Sequence, residues 1–145
     1  MSRAYPERPV VGVGAVVWRG ERVLLIRRAK PPRAGEWSLP GGAQELGEGV
    51  LEAARREVRE ETGLELVRIE LLTVVDSIAR DEQGRVRWHY TLVDVWAEAA
   101  EGEARPGGDA AEVGWFTLDE LEGLGLWSET LRVVRLAAER RAAAR

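Results

Sequence analysis

The chain has 145 residues, 45% of them hydrophobic and 32% charged, with a formal net charge of -4. That length suits one domain (residues 1–145) with its own buried core, and the acidic balance argues against long nucleic acid, which needs a basic footprint. The absence of cysteine excludes disulfides and thiolate zinc sites. No run has the character of a signal peptide or a membrane span, so a cytoplasmic location is expected.

Val10 to Trp18 is rich in Val and Gly and reads as a buried strand. A tight turn at Arg19-Gly20-Glu21-Arg22 leads to a second strand, Val23 to Arg28, completing a hairpin. Ala29 to Gly42 is rich in proline and glycine and reads as a loop. Gly49 to Thr62 has a helical pattern, and Gly63 is placed to stop it. Leu66 to Ile78 is a long strand with room for a bulge, Asp81-Glu82-Gln83-Gly84 a turn, and Val86 to Ala97 another strand. Glu101 to Asp109 is a Gly-rich acidic loop, followed by a short strand, Val113 to Phe116. Thr117-Leu118-Asp119-Glu120 has the pattern of a capping box. Ser128 is the expected cap of a final amphipathic helix from Glu129 to about Ala144, whose basic end suits the helix dipole. Strands interleaved with few helices imply an α/β fold with a mixed sheet.

The chemically informative stretch runs from Gly42 to Leu64. Glu57, Glu60 and Glu61 stand at i, i+3 and i+4 and share one helix face. Val50, Leu51, Ala54 and Val58 form the apolar stripe, and on a helical wheel Glu61 falls between Val50 and Ala54. Clustered like charges cost roughly 0.2–0.5 kcal/mol per exposed pair, and more when desolvated. A hard divalent cation, which prefers oxygen ligands, reverses that sign. The alternative is a solvated acidic face paired with Arg55, Arg56 and Arg59. Pro40-Gly41-Gly42 lies before the helix, and glycine lets the backbone come close to an ion or a phosphate.

This stretch resembles the Nudix box, G-x5-E-x7-R-E-U-x-E-E-x-G-U, where U is bulky and aliphatic. Gly42, Glu48, Arg56, Glu57, Val58, Glu60, Glu61, Gly63 and Leu64 fill its defined positions. The resemblance implies the α/β/α sandwich of that family, with the box as a loop-helix-loop segment. It implies that Glu57, Glu60 and Glu61, joined by the Gly42 carbonyl, bind Mg²⁺ or Mn²⁺. It gives Arg56 the task of orienting a catalytic glutamate, and Glu48 a supporting position beside the ligands. The implied reaction is attack of water on a phosphorus of a pyrophosphate, with a carboxylate taking the water's proton. Glu60 ranks first as that base; Asp109 and Glu112, from the loop after the box, are its rivals, and Glu101 and Glu103 lie in the same loop.

Other side chains keep two readings. His89, the lone histidine, reads as a half-buried strand residue rather than a ligand. Asp94 interrupts an apolar strand and faces either solvent or a cleft. Trp18, Trp37, Trp88 and Phe116 offer faces for a base, although packing is the commoner use. Arg27 or Arg28 could hold a phosphate. The segments Ala29-Lys30-Pro31-Pro32, Gly35 to Gly42 and His89 to Asp94 look like the ADP-ribose pyrophosphatase-like subgroup, which makes AMP and ribose 5-phosphate. Ala79-Arg80-Asp81 stands where well-defined members carry a proline, and no tyrosine of the dinucleoside polyphosphate type is present. Cleavage of a nucleoside triphosphate or of a dinucleoside polyphosphate therefore stays a rival, as does a non-catalytic nucleotide sensor. The small-molecule nucleotide is the expected partner. Many relatives form homodimers, but the sequence shows no clear interface.

Overall fold

A computed structural model describes residues 3–31 and 33–145; Pro32 of the Pro-rich loop lies outside them. The strands are β1 (Val10–Arg19), β2 (Arg22–Arg28), β3 (Trp37–Ser38), β4 (Gly41–Ala43), β5 (Leu66–Arg80), β6 (Val86–Ala99) and β7 (Ala110–Thr117). The helices are α1 (Val50–Thr62), α2 (Leu118–Leu121) and α3 (Ser128–Ala143), with a 3₁₀ turn at Glu122–Leu124. Among the described residues no helix is long and apolar enough to cross a membrane.

The strands form one seven-stranded mixed sheet. β1 lies at its centre. It runs parallel to β6, pairing Val10 with Tyr90 and Trp18 with Glu98. Its Gly12–Gly14 segment pairs antiparallel with β4, and its end turns into β2. β2 carries β3 and β7, both antiparallel. β5 pairs antiparallel with β6 and has register shifts between Leu66 and Arg68, Leu71 and Thr73, and Ala79 and Arg80, so the expected bulge is real.

Alternation along the central strands separates two cores. Val13, Ala15 and Val17 of β1, Leu24 of β2, and Val95 and Ala97 of β6 pack against Ala53, Ala54 and Val58 of α1. Val16, Trp18, Val23, Leu25 and Trp96 point the other way, against Val133, Val134 and Ala137 of α3. A sheet buried on both faces reads as a continuous apolar run, as β1 does. The result is the expected α/β/α sandwich.

Four local expectations need correction. The segment from 29 to 42 is not wholly loop, because Trp37–Ser38 and Gly41 pair with β2 and β1. The strand after the acidic loop starts at Ala110, extended by its pairing with β2. Ser128 does not cap α3: it is the first helical residue, Trp127 takes the extended cap position, and no side-chain cap bond forms. Leu51 is 37% exposed, and Ala53 takes its place in the buried stripe of α1. Gly63 ends α1 with a φ of 76°, a left-handed stop that suits glycine. The Thr117 backbone N–H donates to Glu120 Oε1 at 2.9 Å, as the capping-box pattern implies.

Candidate active site

α1 crosses one face of the sheet so that its last turns meet β4. Two glycines there make the approach possible. A Cβ on Gly42 would stand 2.6 Å from the carboxyl carbon of Glu57. The Gly41 backbone N–H donates to Glu61 Oε1 at 2.7 Å. Adjacent backbone units of β4 thus gather two carboxylates of one helix face.

Glu61 is 2% exposed, as its position on the wheel implies. Burial pushes its carboxyl up to about 8; the Gly41 hydrogen bond opposes this, while Glu57 and Asp109 add to the rise. Relative to an ordinary carboxyl, that displacement costs the ionised form on the order of 5 kcal/mol. Burial also raises Glu57, against the Arg56 hydrogen bond, with Glu60 and Asp109 repelling its charge.

Arg56 ties the cluster together. Its Nε and Nη2 donate to both oxygens of Glu48, at 2.7 and 3.0 Å. Its Nη1 donates to Glu57 Oε1 at 2.8 Å and to Glu60 Oε2 at 3.2 Å. Nη2 also reaches the Ala43 carbonyl at 3.0 Å. The guanidinium beside Glu48 holds that carboxyl below the usual range. Such a fork fixes side-chain orientation as well as charge. Among the described residues no three acidic or imidazole side chains stand close enough together to hold a metal ion as they are placed; Arg56 Nη1 lies between Glu57 and Glu60. Glu60, whose side chain is 52% exposed, has room to turn toward the others. The donor set is all oxygen, charged and partly dry, which fits a hard divalent cation and no softer one.

The loop after β6 reaches the same place. Arg105 N–H donates to the Thr62 carbonyl at 2.9 Å and Gly107 N–H to the Glu61 carbonyl at 3.1 Å, closing the C-terminal carbonyls of α1. Asp109 is thereby carried close enough to act on Glu57 and Glu61, and its Oδ1 meets Lys30 Nζ at 3.1 Å. Glu112 goes elsewhere: it stands opposite Arg27 in the β2–β7 ladder and pairs with it at 2.7 Å. Glu103 pairs with Arg105, and Glu101 is exposed.

A cleft of about 670 Å³ opens from this cluster across the α3 side of the sheet. Glu61, Gly41, Gly42 and Asp109 line its carboxylate end, with Arg28, Lys30 and Arg33. Trp88, Tyr90, Leu92 and Asp94 of β6 line its floor, with Trp127 and Thr130 on the α3 side. Arg28, and not Arg27, faces the cleft. Among the aromatic residues singled out, Trp88 lines it; Trp18 is buried under Arg141, and Trp37 packs edge-on with Phe116. His89 has the opposite parity on β6 and stands half-buried opposite Ile78. Tyr90 and Trp127 are cleft residues that the sequence does not reveal. Tyr90 shares its parity with Trp88 and Asp94, a period-two signal that becomes informative once the face is known.

The NUDIX domain family matches residues 8–136. The chain is 38% identical over 123 residues to the ADP-ribose pyrophosphatase of Methanocaldococcus jannaschii, covering 85% of this chain and 70% of that one. It is 46% identical over 77 residues to the 8-oxo-dGDP phosphatase NUDT18 of Danio rerio, covering 52% of this chain but 22% of that protein. Its fold superposes on the MutT NUDIX hydrolase of Burkholderia pseudomallei with a TM-score of 0.78 at 39% identity, over 90% and 98% of the two chains. It also superposes on the NUDIX domain of Shewanella oneidensis NrtR complexed with ADP ribose, with a TM-score of 0.77 at 25% identity, over 92% and 89%. The box set on a glycine-cradled helix, the sandwich around it and these likenesses agree, and the chain belongs to the Nudix family of pyrophosphohydrolases.

Proposed function

We propose that the chain hydrolyses the pyrophosphate bond of a nucleoside diphosphate derivative, with ADP-ribose as the substrate and AMP and ribose 5-phosphate as products. The observation that carries the reading is the buried Glu61. A carboxylate drawn into the protein beside Glu57 and Asp109 is costly alone and favourable beside a divalent cation. Glu57, Glu60 and Glu61, with the Gly42 carbonyl, would hold Mg²⁺ or Mn²⁺. A bound cation there would supply charge stabilisation for the phosphate oxygens and a more acidic water.

The remaining steps belong to the protein. Arg28, Lys30 and Arg33 line the carboxylate end of the cleft and would draw the diphosphate toward it. Arg56 fixes Glu57 through Nη1 and is itself held by both oxygens of Glu48. Glu60 has the exposure a base needs, and would take the proton of the attacking water. Asp109, adjacent through the loop, is the alternative base. The likeness to an ADP-ribose pyrophosphatase over most of the chain supports the choice of substrate.

The test is a hydrolysis screen in Mg²⁺ with ADP-ribose, other nucleoside diphosphate sugars, dinucleoside polyphosphates, nucleoside triphosphates and 8-oxo-dGDP. Rapid AMP release from ADP-ribose is expected. Faster turnover of a triphosphate or of 8-oxo-dGDP would keep the chemistry and replace the substrate. Inactivity on every compound would overturn ADP-ribose as the substrate and point to a nucleotide sensor or to a substrate outside the screen.

A further inference from the structure

Asp94 is a charged residue buried in the floor of the cleft, and the reaction above gives it nothing to do. It is 5% exposed, yet it lines the cleft. Leu39, Val75, Leu92 and Val133 line the same cleft, as do Ser77, Glu129 and Thr130. Among the described residues no hydrogen-bond donor meets its carboxylate. The charge of Arg132 pulls its pKa down, but burial prevails and pushes it up to about 7. Solvent in the cleft is the partner left to it, a costly state for a charge so nearly buried.

The neighbouring strand makes room for this carboxylate. Gly14 stands opposite Asp94 in the β1–β6 ladder. A Cβ on Gly14 would stand 2.5 Å from Asp94 Oδ1. A side chain at that position would therefore displace the carboxylate or close the floor above it.

Position along the cleft narrows what could complete it. Gly14 also pairs with Gly41, whose N–H holds Glu61. Asp94, Gly14 and Gly41 thus form one row across three strands, so the Asp94 and Gly41 backbones stand about 10 Å apart, two strand spacings. The carboxylate itself leans from β6 back over Gly14, nearer to Gly41 than the backbone spacing. Aromatic ring faces suit a flat base better than a sugar. Trp88, Tyr90 and Trp127 offer ring faces in the same cleft.

We propose that Asp94 is a specificity-determining residue that accepts a hydrogen bond from the amine-bearing edge of a purine base. The inference rests on the nucleotide reading of the cleft. The shared chemistry is an exocyclic amine beside a ring nitrogen, as adenine and guanine each present it; purine riboside has the same ring without the amine.

The test is binding of AMP, GMP and purine riboside 5′-monophosphate, followed by tryptophan fluorescence, to the wild-type protein, Asp94→Ala and Asp94→Asn. ADP-ribose hydrolysis is measured in parallel. The wild-type protein is expected to bind AMP or GMP roughly 10- to 100-fold more tightly than the riboside monophosphate, the worth of a hydrogen bond to a charged group. Asp94→Ala should abolish that advantage and leave binding of the riboside monophosphate as it was. Asp94→Asn should keep a preference for AMP, because an amide pairs with both the amine and the ring nitrogen of adenine, and should weaken GMP. Equal binding of all three nucleotides by the wild-type protein, or an advantage that survives Asp94→Ala, overturns the inference. Loss of every nucleotide by both variants also overturns it, since it makes Asp94 structural. Amine-dependent binding without any hydrolysis leaves Asp94 as the base reader and removes the enzyme reading; hydrolysis of ADP-ribose with an unchanged KM in Asp94→Ala does the reverse.

Discussion

At Glu61 a single buried side chain costs stability and, in the proposed reaction, serves as a ligand of the cation. Its folded pKa of about 8 lies above the ordinary 4.5. The cation-free fold therefore favours the protonated form, and loses stability as pH rises from about 4.5 through about 8. Urea unfolding in EDTA should show that loss, and Glu61→Gln should reduce it. The same variant should lower kcat by more than about 100-fold, beyond the effect usual for residues behind a metal's ligands. Retained turnover would remove Glu61 from the ligand set. Asp94 sets a second window, from about 3.8 to about 7. Asp94→Asn should make the protein more stable than wild type above that window, by as much as about 4 kcal/mol. Equal unfolding midpoints at pH 8 would contradict the burial of a charge there. Both residues stand out in the sequence, one as an acid on an apolar stripe and the other as a break in an apolar strand. The pairing of Glu112 with Arg27 does not, because it depends on the register between β2 and β7.

At the scale of elements, α1 and β4 work as one unit. Gly42→Ala puts a Cβ 2.6 Å from the end of the Glu57 side chain. A flexible side chain can move aside, so the fold should survive with a melting temperature close to wild type, while cation affinity and turnover fall. Turnover equal to wild type would mean that the close approach is incidental. Arg56→Lys keeps the charge but not the fork. A loss of about 10- to 100-fold in kcat is expected, as for other residues that orient ligands, and kcat within twofold of wild type would sink the orienting role. Periodicity and the glycine stop make α1 legible in the sequence itself. β3 and β4 are not legible there, since strands this short exist only through their partners on β2 and β1. Ser128 has the residue type of a cap, but local pattern carries no information about the backbone of Trp127.

Across the whole molecule, the proposed cation site couples metal binding to folding. A cation that binds only the folded chain adds about 2.7 kcal/mol at one hundred times its Kd. Millimolar Mg²⁺ should therefore raise the melting temperature by roughly 5–10 °C in a chain of this size. Identical melting in EDTA and in Mg²⁺ would return Glu57, Glu60 and Glu61 to the status of a plain acidic face. Strand identity and helix identity follow from pattern, but strand order does not. Nothing local says that β1 must lie between β6 and β4.

That placement governs how the protein is made. β1 leaves the ribosome well before the strand it lies alongside, β6, which comes some eighty residues later. Contacts so far apart in sequence must await a slow search. Until β6 arrives, β1 is an apolar strand with an open edge, the kind of segment that pairs with the wrong chain. The strand row that joins Asp94, Gly14 and Gly41 is thus a late event in folding. A nascent chain released before β6 emerges would have α1 and its glutamates, but not the floor of the cleft.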